Sequence, residues 1–241
     1  MTTQQELTLE IIGITGDTSF ESYYWNSGWF TAEVQLLTGL DGAKSIIDVG
    51  CGAGRLAHGI YQWFGGRYVG VDIVPRLVDF CRARFPRYEF HCLDVHSPYY
   101  NPQGSKSPDA MRIPLPDATF DVAVLLSVFT HLLPERFQLM TTEVGRLLKP
   151  GGRCLATFFI TDDMTDRAAA SFKHHVSPAC RVEDPDMPEV AVGYEGAFVV
   201  DAFRTPGLTV ASSYRGSWSG KGGLGYQDHM LFVKDSPTER R

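Results

Sequence analysis

The chain has 241 residues, 22 basic and 28 acidic side chains for a formal net charge of -6, and a hydrophobic fraction of 44%. These values are typical of a globular protein and exclude a disordered or fibrous chain. The acidic excess argues against nucleic acid or an anionic membrane as the main partner, because both are bound through a surplus of Lys and Arg.

The N-terminal segment precedes the first predicted strand and is expected to add a helix over one end of the sheet. It has neither the basic nor the apolar region of a secretory signal, and the sequence has no run of about 18 apolar residues that could span a membrane. The 5 cysteines are widely spaced and form no C-x-x-C pair. We therefore predict reduced thiols, no integral membrane contact and a cytoplasmic location.

Apolar runs of strand length alternate with segments of helical spacing from about residue 45 to residue 160. The runs are continuous in Val, Ile, Leu and Phe, which is typical of strands covered on both faces in a parallel sheet. The predicted strands are 45–50, 67–73, 88–95, 120–127 and 153–160, and the predicted helices between them are 53–64, 75–85 and 134–148. This alternation predicts an α/β fold with helices on both faces of the sheet.

The pattern loosens beyond residue 160. The polar, proline-punctuated segment 161–193 predicts a short helix and then a long loop, which is typical of a lid or a binding loop. Two final strands are predicted at 208–215 and 227–234. We predict a single domain, since we find no repeat or clear linker. Its parts are an N-terminal helical arm (1–44), a ligand-binding core (45–160), an insertion on the substrate-binding side (161–207) and C-terminal strands (208–241).

A glycine-rich turn follows the first predicted strand, in IIDVGCGAGR at 46–55. Gly50, Gly52 and Gly54 let the backbone turn sharply and approach a ligand closely, with a helix N-terminus behind them. A dinucleotide site would have the pattern G-x-G-x-x-G, but Arg55 stands at its sixth position. This departure counts against a nicotinamide-dependent oxidoreductase.

Acidic residues stand at the tips of the next two predicted strands. Asp72 follows the turn by about 20 residues, where a carboxylate can accept hydrogen bonds from both hydroxyls of a ribose. Asp94 is expected beside it across the sheet edge, where it can accept from an exocyclic amine such as that of adenine. The spacing predicts a nucleoside site.

Together these motifs resemble the class I S-adenosylmethionine-dependent methyltransferases. The resemblance spans about residues 45–160 and rests on D-x-G-x-G-x-G, the two strand-tip acids, FDVAVLLSVFTHL, and LLKPGG before another strand. It implies S-adenosyl-L-methionine as cofactor and a Rossmann-like seven-stranded sheet, mostly parallel, with an antiparallel last strand inserted beside the sixth. The cofactor-binding residues that it implies are Asp48, Gly50, Gly52 and Gly54 around the methionine part, Asp72 at the ribose, Asp94 and Val95 at the adenine, Leu126 and Ser127 at the fourth strand tip, and also Ile73.

Further segments resemble a bacterial subgroup of that family. YYNPQG before the fourth strand matches a YNP-x-G loop, SVFTHL follows the strand, and the tail from SYRGSWSG to QDHMLFV is similar to the subgroup's ending. The subgroup is often associated with methylation of sugars and polysaccharides. The resemblance therefore implies a sugar or oligosaccharide acceptor and a role in polysaccharide biosynthesis.

His131 is the predicted general base. A sulfonium methyl group is already activated, but a hydroxyl is a poor nucleophile until a base takes its proton, and His suits this task near neutral pH. His131 follows the fourth predicted strand, at the edge where open α/β sheets bind ligands. The alternative is a structural imidazole that caps the next helix or hydrogen-bonds the chain.

Asp162 and Asp163 directly follow the fifth predicted strand. With His131 they could supply oxygen and nitrogen ligands to a divalent cation such as Mg²⁺. Adjacent acids after a strand are more often a solvated helix cap, so no cation is expected.

Aromatic and histidine side chains outside the core are the candidates for acceptor binding. Aromatic faces stack on sugar rings, although core packing competes as an explanation. Asp228 and His229 alternate along a strand, so at most one of them faces the site. The candidates are Tyr23, Tyr24, Trp25, Trp29, His174, His175, Trp218 and His229, whereas His58, His91 and His96 are expected to be surface or structural.

The sequence predicts an O-methyltransferase that acts on a hydroxyl of a sugar or an oligosaccharide or polysaccharide precursor. One alternative is an O- or N-methyltransferase of a small natural product or a lipid. Another is a nucleoside-binding module that has lost catalysis. The oligomeric state is open, with a homodimer as one alternative, and no nucleic-acid partner is expected.

Overall fold

The computed structural model describes residues 6–109 and 111–236, so the first five residues of the predicted arm and residues 237–241 of the predicted C-terminal part lie outside it. The strands are β1 (Ser45–Val49), β2 (Arg67–Asp72), β3 (Glu89–Cys92), β4 (Phe120–Leu125), β5 (Leu148–Phe158), β6 (His174–Ser177), β7 (Cys180–Val182), β8 (Val192–Tyr194), β9 (Leu208–Tyr214) and β10 (Asp228–Lys234). The α-helices are α1 (Leu9–Gly13), α2 (Phe20–Thr38), α3 (Arg55–Ile60), α4 (Pro75–Arg84), α5 (Pro134–Leu147), α6 (Asp166–Ser171) and α7 (Gly196–Arg204). None of the helices in the described ranges is long and apolar enough to cross a membrane.

Seven of these strands form one sheet in the order β3-β2-β1-β4-β5-β10-β9. The neighbours from β3 through β5 are parallel, whereas β10 runs antiparallel to both β5 and β9. The predicted seven-stranded, mostly parallel sheet with an antiparallel last strand is confirmed. Its strand order reverses direction at β1, and this is the point where open α/β sheets bind ligands.

Both faces of the large sheet are covered, which explains the continuous apolar runs of its strands. Ile47 of β1 packs in a cluster with Phe137 of α5 and Phe203 of α7. The adjacent Ile46 points to the other face and packs in a second cluster with Val34 of α2, together with residues of α3 and α4. Successive residues of a strand point to opposite faces, so a doubly covered strand has no polar side.

The insertion after β5 differs from the predicted short helix and long loop. Its helix is present as α6, but 174–194 then forms a separate antiparallel sheet in the order β6-β7-β8. These strands have only three or four residues each and carry polar side chains such as His175 and Arg181, so no apolar periodicity marks them. The loop prediction was wrong for this part of the insertion. A 3₁₀ turn, Pro188–Val190, lies between β7 and β8.

The N-terminal arm forms α1 and α2, and α2 packs against the start of α3. A capping box of Ser19 and Ser22 begins α2, which satisfies backbone N–H groups that the first helical turn leaves without partners. The Ser27 hydroxyl donates to the backbone oxygen of Arg55 at 2.8 Å. The contact fixes α2 beside the glycine-rich turn, as the predicted helix over one end of the sheet requires.

Candidate cofactor and active site

A cavity of about 410 Å³ opens at the carboxyl ends of β1, β2 and β4. One wall is formed by the glycine-rich turn and the tip of β2, and the turn between α1 and α2, residues 13–16, lies over it. The opposite wall is formed by side chains from 95–100, the segment after β4 and the insertion. The volume lies within the roughly 300–1,000 Å³ of small-molecule sites.

Glycine is required twice in the turn after β1. Gly50 and Gly52 have φ angles of 71° and 54°, in the left-handed region that favours glycine. A Cβ atom at Gly50 would lie 2.5 Å from Cγ2 of Val128, and one at Gly52 would lie 2.6 Å from Cγ2 of Thr15. Both glycines line the cavity, so their backbone is open to a bound ligand.

Gly54 and Arg55, at the end of the turn, have different surroundings from Gly50 and Gly52. Gly54 caps α3 outside the cavity lining, where a Cβ atom would lie 2.6 Å from Cε2 of Phe85. Glycine at this position allows close packing of α3 against α4, and the cofactor contact of Gly54 stays a prediction. Arg55 lines the cavity, pairs with Asp17 at 3.4 Å and lies 4.9 Å over the ring of Phe30. In the sequence alone, Arg55 is recognisable only as a departure from the dinucleotide motif.

Asp72 lines the cavity at the tip of β2, as predicted. Its Oδ2 accepts from the backbone N–H of Gly52 at 2.8 Å, and its Oδ1 accepts from that of Val74 at 2.9 Å. Burial raises the pKa of Asp72, and these backbone hydrogen bonds oppose the rise. Each carboxylate oxygen retains a lone pair for a further donor.

Asp48 lies beneath the glycine-rich turn rather than in the cavity wall. Its carboxylate accepts from the Tyr68 hydroxyl at 2.6 Å, and it is not among the residues that line the cavity. Burial raises the pKa of Asp48 to about 7, against the lowering effect of the Tyr68 hydrogen bond. Asp48 thus makes a buried contact within the sheet, and its contact with the methionine part stays a prediction.

The residues around the tip of β3 separate in a similar way. Ile73 and Val95 line the cavity, as predicted. Asp94 has a φ of 51°, and its carboxylate accepts from the Ser105 hydroxyl at 2.5 Å, a hydrogen bond that lowers the pKa of Asp94. Asp94 therefore holds the 97–106 loop and is not among the residues that line the cavity, and its adenine contact stays a prediction.

Leu126 and Ser127 line the cavity at the tip of β4, as predicted. Ser127 has a φ of 57°, and its backbone N–H donates to the Thr157 hydroxyl at 2.7 Å. Its own hydroxyl donates to Oε1 of Gln227 at 3.0 Å. The tips of β4, β5 and the residue before β10 are thus joined beside the cavity.

His131 also lines the cavity, and its hydrogen bonds define its tautomer. Nδ1 lies 2.8 Å from the backbone oxygen of Glu189, which can only accept, so Nδ1 carries the proton. Nε2 then has the lone pair and accepts from the Tyr100 hydroxyl at 3.1 Å. Burial lowers the pKa of His131, so the ring is neutral at pH 7. The ring does not cap α5, whose N-cap residue is Leu133 without a side-chain hydrogen bond.

Glu189 joins the insertion to this side of the cavity. Its side chain is buried, accepts from the Ser97 hydroxyl at 2.5 Å and pairs with the guanidinium of Arg136. All three residues line the cavity. Sequence reasoning missed them because the contacts join positions 92 and 53 residues apart, which no local spacing reports.

The four aromatic candidates of α2 lie outside the cavity lining. Tyr23 is buried and its hydroxyl donates to the backbone oxygen of Ala53 at 2.9 Å, so it is a core residue. Tyr24, Trp25 and Trp29 are exposed to solvent along the helix. Periodicity did not separate the one buried ring from its exposed neighbours because α2 has aromatics on several faces.

The candidates near the C-terminal strands are also outside the cavity lining. Trp218 packs against Phe159 and donates from Nε1 to Asp228 at 2.6 Å. His229 is buried, and its Nδ1 contacts the carboxylate of Glu33 on α2. These contacts hold the last strand to its neighbours.

The remaining histidines divide differently from the prediction. His174 and His175 lie in β6 and not in a loop over the cavity. His58 is half-buried against Tyr23, and His91 contacts Glu89, as expected of structural or surface residues. His96, expected to be surface or structural, lines the cavity.

The three weak candidates for a cation site have separate partners. Asp162 accepts from the backbone N–H of Gly196 at 2.9 Å, and Asp163 pairs with Arg215 at 3.3 Å and with Lys221. The described residues contain no group of three or more His, Cys, Asp or Glu side chains that could hold a metal ion. The structure therefore does not unite Asp162, Asp163 and His131 into a metal centre.

The chain is similar to known methyltransferases in sequence and in fold. Residues 47–156 match the family described as methyltransferase domain. The fold agrees with solved methyltransferases, including an S-adenosylmethionine-dependent enzyme from Methanosarcina mazei, with a TM-score of 0.59 and 16% identity over 81% of this chain and 94% of that chain. The core of the chain is thus similar to methyltransferase domains, and the likeness to the solved structure shows a shared fold.

Individual relatives match parts of the chain. A fatty-acid O-methyltransferase of Mycolicibacterium smegmatis is 36% identical over 117 residues, covering 47% of this chain and 36% of that protein. The O-methyltransferase cnsE of Penicillium expansum is 27% identical over 119 residues, covering 49% of this chain and 39% of that protein. The chain thus spans little more than a third of the length of these relatives.

A second solved structure contains a bound ligand. It is the 1,6-didemethyltoxoflavin-N1-methyltransferase of Burkholderia thailandensis with 1,6-didemethyltoxoflavin and S-adenosylhomocysteine. It has a TM-score of 0.57 and 17% identity over 96% of this chain and 92% of that chain. At this identity the likeness extends to the fold alone.

Proposed function

We propose that the protein transfers the methyl group of S-adenosylmethionine to an acceptor hydroxyl, with His131 as the general base. The observation that carries this proposal is the tautomer of His131. Its protonated Nδ1 is tied to the backbone of Glu189, which leaves the basic lone pair on Nε2 of a ring that lines the cavity. A neutral imidazole in this state can take a proton near pH 7.

The opposite wall fits the proposed cofactor. Gly50 and Gly52 line the cavity with bare backbone at positions where a Cβ atom would clash with Val128 or Thr15, and Asp72 has free lone pairs beside them. Asp72 would accept from ribose hydroxyls, Ile73, Val95 and Leu126 would contact the base, and Arg55 would attract a carboxylate. When bound, the cofactor supplies a methyl group already activated by positive sulfur. The chain then has to align the acceptor, exclude water and remove one proton.

A sugar or oligosaccharide hydroxyl is the acceptor that we propose first. Support comes from the resemblance of the 99–104 loop, the segment after β4 and the tail to the sugar-methylating subgroup. The polar groups of Ser97, Tyr100 and His131 can pair with hydroxyls of such an acceptor.

A small natural product or a lipid is the second candidate. The wall around His131 includes the apolar side chains of Met111, Leu132 and Met140. The Mycolicibacterium smegmatis relative is named for a fatty-acid acceptor. An apolar acceptor with one reactive hydroxyl, carboxylate or amine would suit this surface.

A panel of acceptors with isotopically labelled S-adenosylmethionine tests the function. Methyl glycosides and oligosaccharide fragments represent the first class, and phenols, fatty acids and amines represent the second. Label in a sugar ether supports the first proposal, and label in the second group selects the second candidate. Binding of S-adenosylhomocysteine without transfer to any acceptor would contradict both and would favour a non-catalytic nucleoside-binding module.

The role of His131 is tested with His131→Asn, whose amide nitrogen can keep the hydrogen bond to Glu189 but lacks a basic atom. We expect kcat to fall about 100-fold, within the usual range for a general base. The wild-type rate should fall with decreasing pH only below pH 6.5, because burial lowers the pKa of His131 and protonation removes the base. His91→Gln, outside the cavity, is the matched control. Wild-type turnover in His131→Asn would show a structural role.

A further inference from the structure

The Tyr100 hydroxyl is hydrogen-bonded to Nε2 of His131, the basic nitrogen that the proposed mechanism uses. The hydroxyl oxygen lies 3.1 Å from Nε2, and the two rings meet edge to face at 5.1 Å. Both side chains line the cavity. An acceptor that contacted Nε2 directly would have to displace the Tyr100 hydroxyl.

The hydroxyl of Tyr100 can accept and donate at the same time. It donates its proton to Nε2 because His131 carries its own proton on Nδ1. The phenol oxygen retains lone pairs for a second donor. An acceptor O–H in the cavity can therefore donate to Tyr100 while Tyr100 donates to His131.

The charges around Tyr100 keep it in the protonated form that this arrangement needs. Burial raises the pKa of Tyr100, the negative charges of Asp72 and Glu189 add to the rise, and Arg55 opposes it. Asp72 and Arg55 belong to the glycine-rich wall of the cavity that Tyr100 also lines.

We propose that Tyr100 is a further catalytic residue in a proton relay. Its hydroxyl contacts the acceptor hydroxyl, accepts the proton of that group and donates its own proton to His131. The inference rests on the proposed function. The acceptor proton moves to the phenol oxygen while the phenol proton moves to Nε2, which leaves neutral tyrosine and an imidazolium. The acceptor oxygen bonds to the methyl carbon as the carbon–sulfur bond breaks, and that electron pair stays on sulfur.

The hydrogen-bond arrangement is tested without turnover. Nitrogen NMR of protein labelled in its histidines, saturated with S-adenosylhomocysteine, reports which ring nitrogen of His131 is protonated. We expect protonation at Nδ1, and in Tyr100→Phe a shift of Nε2 toward the value of a nitrogen without a hydrogen-bond donor. Protonation at Nε2 in the wild type would overturn the relay, because that nitrogen could then not accept from Tyr100.

Kinetics separate the relay from direct action of His131. With the panel acceptor that turns over fastest, we expect Tyr100→Phe to lower kcat about 100-fold and to leave the Kd of S-adenosylhomocysteine within about threefold. The double variant Tyr100→Phe with His131→Asn should be no slower than either single variant, because both changes interrupt one proton path. Tyr88→Phe is the control, since it removes a tyrosine hydroxyl outside the cavity lining.

The outcomes distinguish the two levels of inference. An active wild type with nearly full turnover in Tyr100→Phe and loss in His131→Asn would overturn the relay and keep His131 as the direct base. No transfer to any acceptor from the wild type would contradict the proposed function itself. A loss in Tyr100→Phe that is accompanied by an equal loss of S-adenosylhomocysteine binding would show that Tyr100 serves binding and not proton transfer.

Discussion

The two walls of the cavity are built in opposite ways. The glycine-rich wall joins the turn after β1 to the tip of β2 and offers mainly backbone, with Gly50 and Gly52 in left-handed conformations and Asp72 fixed by two backbone N–H groups. The wall opposite is made of side chains, and its contacts join Tyr100, His131 and Glu189 from three distant segments. One wall has conformations that few other residues could adopt, and the other depends on the insertion being folded.

This difference predicts two kinds of sensitivity. Changes in the glycine-rich wall should act on cofactor affinity or stability, because the backbone itself is the binding surface. Changes in the side-chain wall should act mainly on turnover, because its polar groups hold and move a proton. The following variants test whether the two walls separate in this way.

The largest effect is expected for Asp48→Asn, beneath the glycine-rich wall. Because burial raises the folded-state pKa of Asp48 to about 7, the wild type should lose stability as pH rises from about 4 to about 7, while the carboxyl ionises only in the unfolded chain. The variant lacks this loss, so its free energy of unfolding relative to wild type should increase by up to roughly 4 kcal/mol across that range.

Urea unfolding at a series of pH values measures this difference. The exposed Asp186, changed to Asn, serves as the control and should give a difference that stays flat. A flat difference for Asp48→Asn as well would mean that the buried carboxylate ionises without penalty.

The next largest effect is expected for Gly52→Ala. The added methyl group meets Thr15 at 2.6 Å in a backbone conformation with φ 54°. We expect the Kd of S-adenosylhomocysteine to rise roughly 100-fold, on the order of 3 kcal/mol, by isothermal titration calorimetry. Gly28→Ala is the matched control because nothing lies within 4 Å of its Cβ position in α2. Equal affinities of the two variants for S-adenosylhomocysteine would show that the glycine-rich turn is not part of the binding surface.

A smaller effect is expected for Glu189→Gln in the side-chain wall. The neutral side chain no longer balances the charge of Arg136, which should lower the free energy of unfolding by about 2 kcal/mol. Cofactor affinity should change less than threefold, whereas turnover should fall because the imidazolium of His131 loses a nearby negative charge. Glu183→Gln, exposed in the same insertion, controls for the loss of one charge. A large loss of cofactor affinity would contradict the separation of the two walls.

The sequence predicted the sheet and much of the glycine-rich wall because local patterns specify both. Gly50, Gly52, Asp72 and Ser127 stand at strand tips, and the strand order brings those tips together. The directions in which the neighbouring side chains point could not be predicted from the sequence. Asp94 is turned away by its own left-handed backbone conformation, a property that residue spacing does not report.

Of the hydrogen-bonded residues Tyr100, His131 and Glu189 in the side-chain wall, only His131 was predicted as a site residue. Glu189 and Arg136 meet through the folding of the insertion, whose strands are too short and too polar to be recognised. Tyr100 was visible as part of a motif, but its contact with His131 depends on the path of two loops. Exposed aromatics such as Trp25 were predicted to bind the acceptor because of their residue type, although they lie outside the cavity lining.

The position of β10 has a consequence for synthesis of the chain. It follows β9 in the chain, yet it lies between β5 and β9 in the sheet. Until β10 emerges from the ribosome, β9 has no partner in the large sheet and β5 has an open edge, which is a surface prone to wrong pairing. The glycine-rich turn is translated before β10, but the seven-stranded sheet that supports it forms only when β10 is added.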